Sequence, residues 1–204
     1  MDRTSVINAY KRYANIYDHV FGWIFHPGRM RSVEQMRCQT GDSVLEVGAG
    51  TGLSLPLYPP DVVIIGIDIS PHMLSKAKIL SERDGLENVA FAVADAQLLC
   101  FPDNTFDKVV AMYVASVVPD PQTFVAEIKR VCKPHGDIFF VNHFSHTNIW
   151  VRQFERFLTL FSHILGFRTD LSLDAFISQN QLIVKEITPI NLFGYWSMVH
   201  AIND

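Results

Sequence analysis

The sequence has few of the features that mark secreted, membrane-spanning or nucleic-acid-binding proteins. It holds only three cysteines in 204 residues and starts without a charged-then-apolar leader, so we expect a reduced, cytoplasmic setting. Its longest strongly apolar stretch without a formal charge, Phe157 to Phe167, is about half of the roughly 20 residues that a membrane-crossing helix needs. A net charge of −4 and a pI near 6.0 give no general attraction to nucleic acid.

The composition is that of one folded domain with an unusual N-terminal end. Apolar residues make up 49% of the chain and charged residues 19%, which supports a single hydrophobic core. Residues 1–40 carry six basic and three acidic side chains, whereas the remainder is acidic. We therefore divide the chain into a helical lid or membrane-docking segment, residues 1–40, and a main domain, residues 41–204.

Short runs rich in β-branched residues alternate with helical patterns along the main domain. This alternation predicts an α/β fold, a single-domain Rossmann-like doubly wound sheet with helices on both faces. The predicted strands are Ser43–Val47, Val62–Asp68, Val89–Ala94, Lys108–Met112, Ile138–Asn142, Leu182–Thr188 and Tyr195–Ile202. The predicted helices are Met73–Ser81 after Ser70-Pro71, Pro121–Cys132 and Ile149–Gly166, with a chain-turning break at Lys133–Gly136.

Two segments of the chain place apolar residues at helical spacing. Thr4 to Phe25 places apolar side chains at three- and four-residue steps, with Lys11 and Arg12 mostly away from that face. A packed N-terminal helix and a helix lying on a membrane surface both fit the pattern. A second stripe from Trp150 to Leu165 fits a helix capping the sheet as well as it fits lipid contact.

The turn after the first predicted strand holds three glycines, Gly48, Gly50 and Gly52, preceded by Glu46. Position 53 is leucine, so the dinucleotide pattern G-x-G-x-x-G is absent, and no G-K-[S/T] follows. An acidic side chain beside the loop repels pyrophosphate and attracts an ammonium group. The loop therefore predicts a zwitterionic or cationic ligand.

Acidic residues also follow the next two predicted strands. Asp68, at the end of the second, can accept two hydrogen bonds from a ribose diol. Asp95 can accept from the exocyclic amine of an adenine, and Ile69 and Met73 offer apolar and sulfur contacts to a flat base.

These residues lie in segments that together resemble the class I S-adenosylmethionine-dependent methyltransferases over roughly residues 40–142. The segments are EVGAGTG, GIDIS, VADAQ, FDKVVAMY and KRVCKPHGDI, with Pro134-His135-Gly136 where the family usually has Pro-Gly-Gly. The resemblance implies S-adenosylmethionine as cofactor, S-adenosylhomocysteine as product, and no metal. It implies that Glu46 and the glycine loop bind the methionine end of the cofactor. It also implies that Asp68 binds the ribose and Asp95 the adenine. The implied cofactor-binding set is Tyr13, Glu46, Gly48, Gly50, Gly52, Asp68, Ile69, Met73, Asp95, Ala96 and Met112. A generic nucleotide binder with coincidental glycines is the alternative.

The flanking segments are similar to the small soluble bacterial phosphatidylethanolamine N-methyltransferases. The similar segments are Tyr13–Asp18, His26–Arg29, Ala111–Ser116 and Val141–Phe144. That similarity implies methylation of phosphatidylethanolamine and of its mono- and dimethyl derivatives to phosphatidylcholine. It also implies peripheral docking on an anionic membrane surface, at the inner face of the cytoplasmic membrane.

The acceptor side is the less determined part of the site. Tyr17, Tyr113 and His143 are the catalytic candidates, because aromatic rings attract a methylated ammonium and an imidazole can accept the proton released on methylation. Core packing and an ordinary structural histidine are the alternatives. His26, Arg29 and Asn142 are the substrate-binding candidates, with a solvated loop as the alternative for His26 and Arg29.

Two other functions remain open at this point. A methyltransferase for another hydrophobic acceptor, such as a quinone precursor, would share the fold and the cofactor site. A regulator that binds the cofactor without turnover would also keep Glu46, Asp68 and Asp95, because these residues bind and do not react.

Overall fold

The computed structural model describes residues 25–144, 171–191 and 196–204 of the chain. Strands and helices alternate through most of these ranges. The strands are β1 (Ser43–Val47), β2 (Val63–Asp68), β3 (Val89–Val93), β4 (Phe106–Met112), β5 (Cys132–His143), β6 (Ile183–Asn191) and β7 (Trp196–Ile202). The helices are α1 (helical residues 25–36), α2 (Pro71–Asp84), α3 (Pro121–Val131) and α4 (Leu173–Gln179), with a 3-10 helix at Leu55–Leu57.

The strands form one mixed sheet in the order β3-β2-β1-β4-β5-β7-β6. Neighbours from β3 to β5 are parallel, whereas β7 is antiparallel to both β5 and β6. The predicted α/β class and doubly wound core are confirmed. The antiparallel pair has a simple cause: residues 192–195 alone separate β6 from β7, and a parallel crossover needs about a dozen residues or more.

Strand bounds agree closely with the predictions except at β5. Phe106 pairs with Cys132 and Lys108 with Asp137, so the pairing skips a four-residue bulge between them. Lys133–Gly136, predicted as a turn ahead of the strand, is this bulge. A side chain at Gly136 would place its Cβ 2.7 Å from Cys132 Sγ and 2.9 Å from the carbonyl oxygen of Asp107, so the bulge folds tightly against β4.

Capping residues fix the ends of α2 and α3. The Ser70 hydroxyl accepts from the Met73 N–H, and Gly85, with φ of +66°, ends α2 in a left-handed conformation. Asp120 accepts from the N–H groups of Gln122 and Thr123 at the start of α3. Proline at the first position of each helix matches the sequence interpretation.

Helices cover both faces of the sheet. On one face, Val33 and Met36 of α1 pack with Leu55 and with Ala77 of α2 against side chains of β1, β2, β4 and β5. On the other face, α3 and α4 contribute Phe124, Ile128 and Phe176. Burying each large apolar side chain contributes about 1.5–3 kcal/mol relative to exposure, so both layers hold the strand ends in fixed positions.

Two predicted helical segments lie outside the described residues. These are Thr4–Phe25, apart from Phe25 itself, and Ile149–Gly166. His26 to Arg29, interpreted as a possible loop, is instead part of α1, and this corrects that interpretation. Within the described ranges, none of the helices has the length and apolar character needed to cross a bilayer.

Candidate active site

A cleft opens at the edge of the sheet where the parallel strands β1, β2, β3 and β4 end. Consecutive strands in a parallel sheet carry their carboxyl ends to the same edge, which brings the three acidic motifs together. The cleft is lined by Glu46 and the glycine loop after β1, Asp68 to Ser70 after β2, Ala94 to Gln97 after β3, and Met112 to Val114 after β4. Arg29 of α1, Met73 of α2, Ser54 and the residues Val117 to Pro119 also line it.

The glycine loop passes close to its neighbours at two positions. Gly48 has φ of +73°, and a Cβ there would lie 2.3 Å from Val114 Cγ2. Gly52 has φ of +84°, and its Cβ would lie 3.0 Å from both Ala77 and Leu55. Gly48 therefore keeps the cleft open beside β4. Gly52 does not line the cleft; it lets the loop pack against α2.

Asp68 stabilises the loop from the end of β2. Its Oδ2 accepts from the N–H of Gly50 at 3.0 Å, and its Oδ1 accepts from the N–H of Ser70 at 2.8 Å. Burial raises the pKa of this carboxyl, and the backbone hydrogen bonds from Ser70, Gly50 and Ile69 oppose that rise. An ionised carboxylate has about four acceptor sites, so two further hydrogen bonds can be made to a diol in the cleft.

Glu46 lines the cleft and is buried, with 2% of its surface exposed. Tyr58 donates its hydroxyl to Oε2 at 2.8 Å, and Ser54 donates its hydroxyl to Oε1. Burial raises the pKa of Glu46, and these two hydrogen bonds, together with the charge of Arg29, oppose the rise. This part of the cleft thus presents a desolvated carboxylate with a guanidinium nearby.

Arg29 and His26 occupy different environments although both belong to α1. Arg29 is buried, lines the cleft, and places its guanidinium carbon 5.9 Å from the centre of the Tyr113 ring. His26 is exposed and is not part of the cleft lining. Two charged groups of opposite sign, Arg29 and Glu46, therefore meet at one end of the cleft, which is the arrangement that an amino acid zwitterion requires.

The end of β3 supplies the opposite part of the cleft. Asp95 accepts from the N–H of Gln97 at 2.9 Å, and this Asx turn directs the chain along the cleft wall. Ile69, Met73 and Ala96 line the same region. A carboxylate beside apolar and sulfur surfaces fits a flat base with an amine at its edge.

An aromatic cluster lies at the ends of β4, β5 and β7. Phe25 packs between Tyr113 and Trp196, with ring centres 4.9 Å and 5.2 Å away. Trp196 also lies 5.6 Å from the His143 ring. Tyr113 has φ of +66°, a conformation that non-glycine residues rarely adopt, and its N–H donates to the carbonyl of Val141 at 2.6 Å. Such backbone outliers concentrate at functional sites.

Two predicted residues of β5 lie behind the cleft and do not line it. Asn142 is 1% exposed; its amide donates to the carbonyl of His143 at 2.8 Å, and its Oδ1 accepts from the Ser116 hydroxyl at 3.3 Å. His143 is 3% exposed. The other predicted residues of the described ranges, apart from His26 and Gly52, line the cleft. Tyr13 and Tyr17 lie outside the described residues.

Sequence reasoning missed Ser54, Tyr58 and Trp196. Ser54 and Tyr58 follow the glycine loop by only a few residues. Hydroxyl side chains so close after the loop could have been predicted to contact Glu46. Trp196 is far along the chain from Tyr113, and no local pattern connects them. Among the described residues, no group of three or more His, Cys, Asp or Glu side chains is placed to hold a metal ion.

Comparisons with known proteins agree on one family. A methyltransferase domain model matches residues 45–140. The phosphatidylethanolamine N-methyltransferase of Cereibacter sphaeroides is 40% identical over 200 residues, which is 98% of this chain and 98% of that protein. The ubiquinone biosynthesis O-methyltransferase of Coxiella burnetii is 31% identical over 118 residues, 57% of this chain and 50% of that protein. The crystal structure of YcgJ from Bacillus subtilis has a TM-score of 0.69 and 28% identity, covering 79% of this chain and 71% of that one.

Proposed function

We propose a function from this premise: the chain belongs to the methyltransferase family that includes the phosphatidylethanolamine N-methyltransferase of Cereibacter sphaeroides. The function is the transfer of methyl groups from S-adenosylmethionine to the amine of phosphatidylethanolamine and of its mono- and dimethyl derivatives. One observation carries the proposal. The 40% identity to that enzyme extends over 98% of both chains, well past residues 45–140, and so includes the flanks where acceptor specificity is expected to lie.

The residues of the cleft fit S-adenosylmethionine at each of its parts. Glu46 and Arg29 would hold the ammonium and carboxylate of its methionyl end, and the loop from Gly48 to Gly50 would lie alongside. Asp68 would accept from the ribose hydroxyls, and Asp95 from the adenine amine. S-adenosylmethionine, when bound, supplies a methyl group on a positively charged sulfur. This assignment moves Arg29 from the substrate-binding candidates to the cofactor, because Arg29 is buried and its charge acts on Glu46.

The chain's own contribution to the reaction is positioning, exclusion of water and removal of a proton. Attack by an amine needs its lone pair free, and each of the first two methylations releases a proton. Tyr113, at the tip of β4 and in the cleft lining, is proposed to contact the acceptor amine. His143 does not line the cleft, so it is proposed to accept the proton through a water molecule. Asn142 is proposed to hold the loop after β4 through Ser116.

Peripheral attachment to an anionic membrane is a further part of the proposal. Lys11, Arg12 and Arg31 supply positive charge near the N-terminal end, and each basic residue near such a surface contributes about 1 kcal/mol. Arg29 also belongs to the basic N-terminal end, but it is buried in the cleft and is not assigned to the membrane surface. The expected location is the inner face of the cytoplasmic membrane.

A methyl-transfer assay with competing acceptors tests the proposed function. Labelled S-adenosylmethionine and purified protein are incubated with phosphatidylethanolamine vesicles, with phosphatidylcholine vesicles, or with a quinone precursor in detergent. We expect label in phosphatidylethanolamine alone, lost in Glu46→Gln and kept in Glu87→Gln, an exposed acid outside the cleft. Label in the quinone precursor would replace the acceptor assignment. Cofactor binding without a labelled product would indicate a regulator.

A further inference from the structure

We propose that Tyr58 is a positioning residue for the cofactor: its hydroxyl holds the Glu46 carboxylate in place for the ammonium group of the methionyl end. The inference deepens the proposed function and rests on it. Tyr58 lies outside the motifs that identify the family, and it does not line the cleft. Its influence on the ligand would pass entirely through Glu46.

Glu46 has one hydroxyl donor on each carboxylate oxygen. Tyr58 donates to Oε2 at 2.8 Å, and Ser54 donates to Oε1. All three side chains are buried, with exposed fractions of 2% for Glu46, 3% for Ser54 and 6% for Tyr58. Two neutral donors fix the plane of the carboxylate and leave acceptor sites on both oxygens for a cation in the cleft.

The Tyr58 ring is itself held in a fixed position. It packs in the hydrophobic cluster of α1 and the 3-10 helix, with Val33, Met36 and Leu55, and its hydroxyl lies 4.0 Å from Met36 Sδ. Tyr58 precedes Pro59, which restricts its backbone to the extended region, and its φ of −75° and ψ of 150° lie there. A rigid backbone and a packed ring together place the hydroxyl with little freedom.

The surroundings of the Glu46 carboxylate oppose the rise in its pKa that burial causes. The groups facing this carboxylate are the hydroxyls of Ser54 and Tyr58 and the guanidinium of Arg29. Burial disfavours the charged form, and these three groups favour it. Without the Tyr58 hydroxyl, Glu46 would take up a proton at a higher pH, and a protonated Glu46 no longer attracts an ammonium group.

The test compares Tyr58→Phe with wild type in calorimetric binding of two ligands over a pH series. S-adenosylmethionine carries the ammonium group, whereas 5′-methylthioadenosine has the same adenosine and lacks the amino acid. We expect Tyr58→Phe to bind S-adenosylmethionine about tenfold more weakly, with the acidic loss of binding moved to higher pH. Its affinity for 5′-methylthioadenosine should stay within about twofold of wild type.

A matched control and a second variant complete the design. Thr188→Val removes another buried hydroxyl that donates to a carboxylate, Glu186 Oε1 at 3.3 Å, in strand β6 away from the cleft. It should leave both affinities unchanged. Ser54→Ala should reproduce the ligand selectivity of Tyr58→Phe, and it keeps the proposal testable if the tyrosine variant folds poorly. In a Glu46→Gln background, Tyr58→Phe should add no further loss of binding.

The outcomes separate this inference from the proposed function. Equal weakening of both ligands in Tyr58→Phe would make Tyr58 a structural residue only and overturn the proposal. The proposal is also overturned if Glu46→Gln weakens S-adenosylmethionine binding and Tyr58→Phe does not. If Glu46→Gln leaves that binding unchanged, the orientation of the cofactor in the proposed function is wrong, and the role of Tyr58 falls with it.

Discussion

The two sides of the cleft are built in different ways. The proposed cofactor side has acidic residues at the ends of β1, β2 and β3, and their carboxylates accept hydrogen bonds from nearby hydroxyl and backbone groups. The proposed acceptor side consists of Tyr113, which lines the cleft, and of aromatic rings from α1, β5 and β7 that pack against Tyr113 or against one another outside the lining. These residues come from distant parts of the chain. We therefore expect a ligand common to a family to be held by local motifs, and the acceptor to be recognised by surfaces that exist only after folding.

The largest expected effect is on stability, at Gly48, which lies between the two sides of the cleft. Gly48→Ala should lower the free energy of unfolding by about 3 kcal/mol, because it adds a Cβ 2.3 Å from Val114 Cγ2 and strains a backbone with positive φ. Gly41→Ala is the matched control: its φ is +84°, but nothing lies within 4 Å of the added Cβ. Urea denaturation should show a loss of only about 1 kcal/mol there. Equal losses of stability in the two variants would mean that glycine is needed at position 48 only for its positive φ, and not to avoid contact with Val114.

The cofactor side depends on Asp68. Asp68→Ala should weaken binding of S-adenosylmethionine at least tenfold, about 1.4 kcal/mol, since it removes both the proposed ribose acceptor and the hydrogen bond to the Gly50 N–H. Asp84→Ala, which removes a surface carboxylate paired with Arg83, should leave the affinity unchanged in the same titration. An unchanged affinity in Asp68→Ala would refute the ribose assignment.

A change at Trp196 should alter the apparent KM for the phospholipid acceptor and leave the affinity for S-adenosylmethionine unchanged. Trp196→Leu removes a ring that packs against Phe25 and His143, an interaction of about 1 kcal/mol. The apparent KM for phosphatidylethanolamine vesicles should rise about fivefold, with Kd for S-adenosylmethionine unchanged. Trp196→Phe keeps an aromatic ring and should have a smaller effect. Parallel changes in both constants would show that the two sides of the cleft are coupled.

The smallest expected effect lies on the surface of α1. Arg31 is exposed two residues after the buried Arg29, so it is available to a membrane surface. Arg31→Ser should weaken co-sedimentation with phosphatidylglycerol vesicles by up to about 1 kcal/mol. Lys78→Ser, on the exposed face of α2, removes the same charge elsewhere and should sediment like wild type. If both variants co-sediment equally less than wild type, attraction to the vesicles depends on the overall charge of the protein. In that case α1 is not the docking element.

The parts of the molecule that were predictable from the sequence are those specified locally. The bounds of β1, the caps of α2 and α3, and the positions of Glu46, Asp68 and Asp95 at strand ends follow from residue patterns a few positions long. The positions of Tyr58 and Arg29 near Glu46 do not follow from such patterns, because each depends on how α1 and the residues of the 3-10 helix pack over β1.

The same reasoning explains the different bounds of β5 and the position of Asn142 and His143 outside the cleft lining. The bulge between Cys132 and Asp137 arises from pairing with β4, which a turn-forming sequence such as Lys133–Gly136 does not reveal. Asn142 and His143 are consecutive residues of a strand that is covered on both faces. Packing against these two layers buries both side chains outside the cleft lining.

The measurement that tests the central claim most directly is the identity of the methylated lipid. Purified protein is incubated with labelled S-adenosylmethionine and phosphatidylethanolamine vesicles, with and without phosphatidylglycerol, and the mono-, di- and trimethylated lipids are separated. The account predicts stepwise label in the head group, with more product when the anionic lipid is present. Binding of S-adenosylmethionine with no label in any lipid would contradict it.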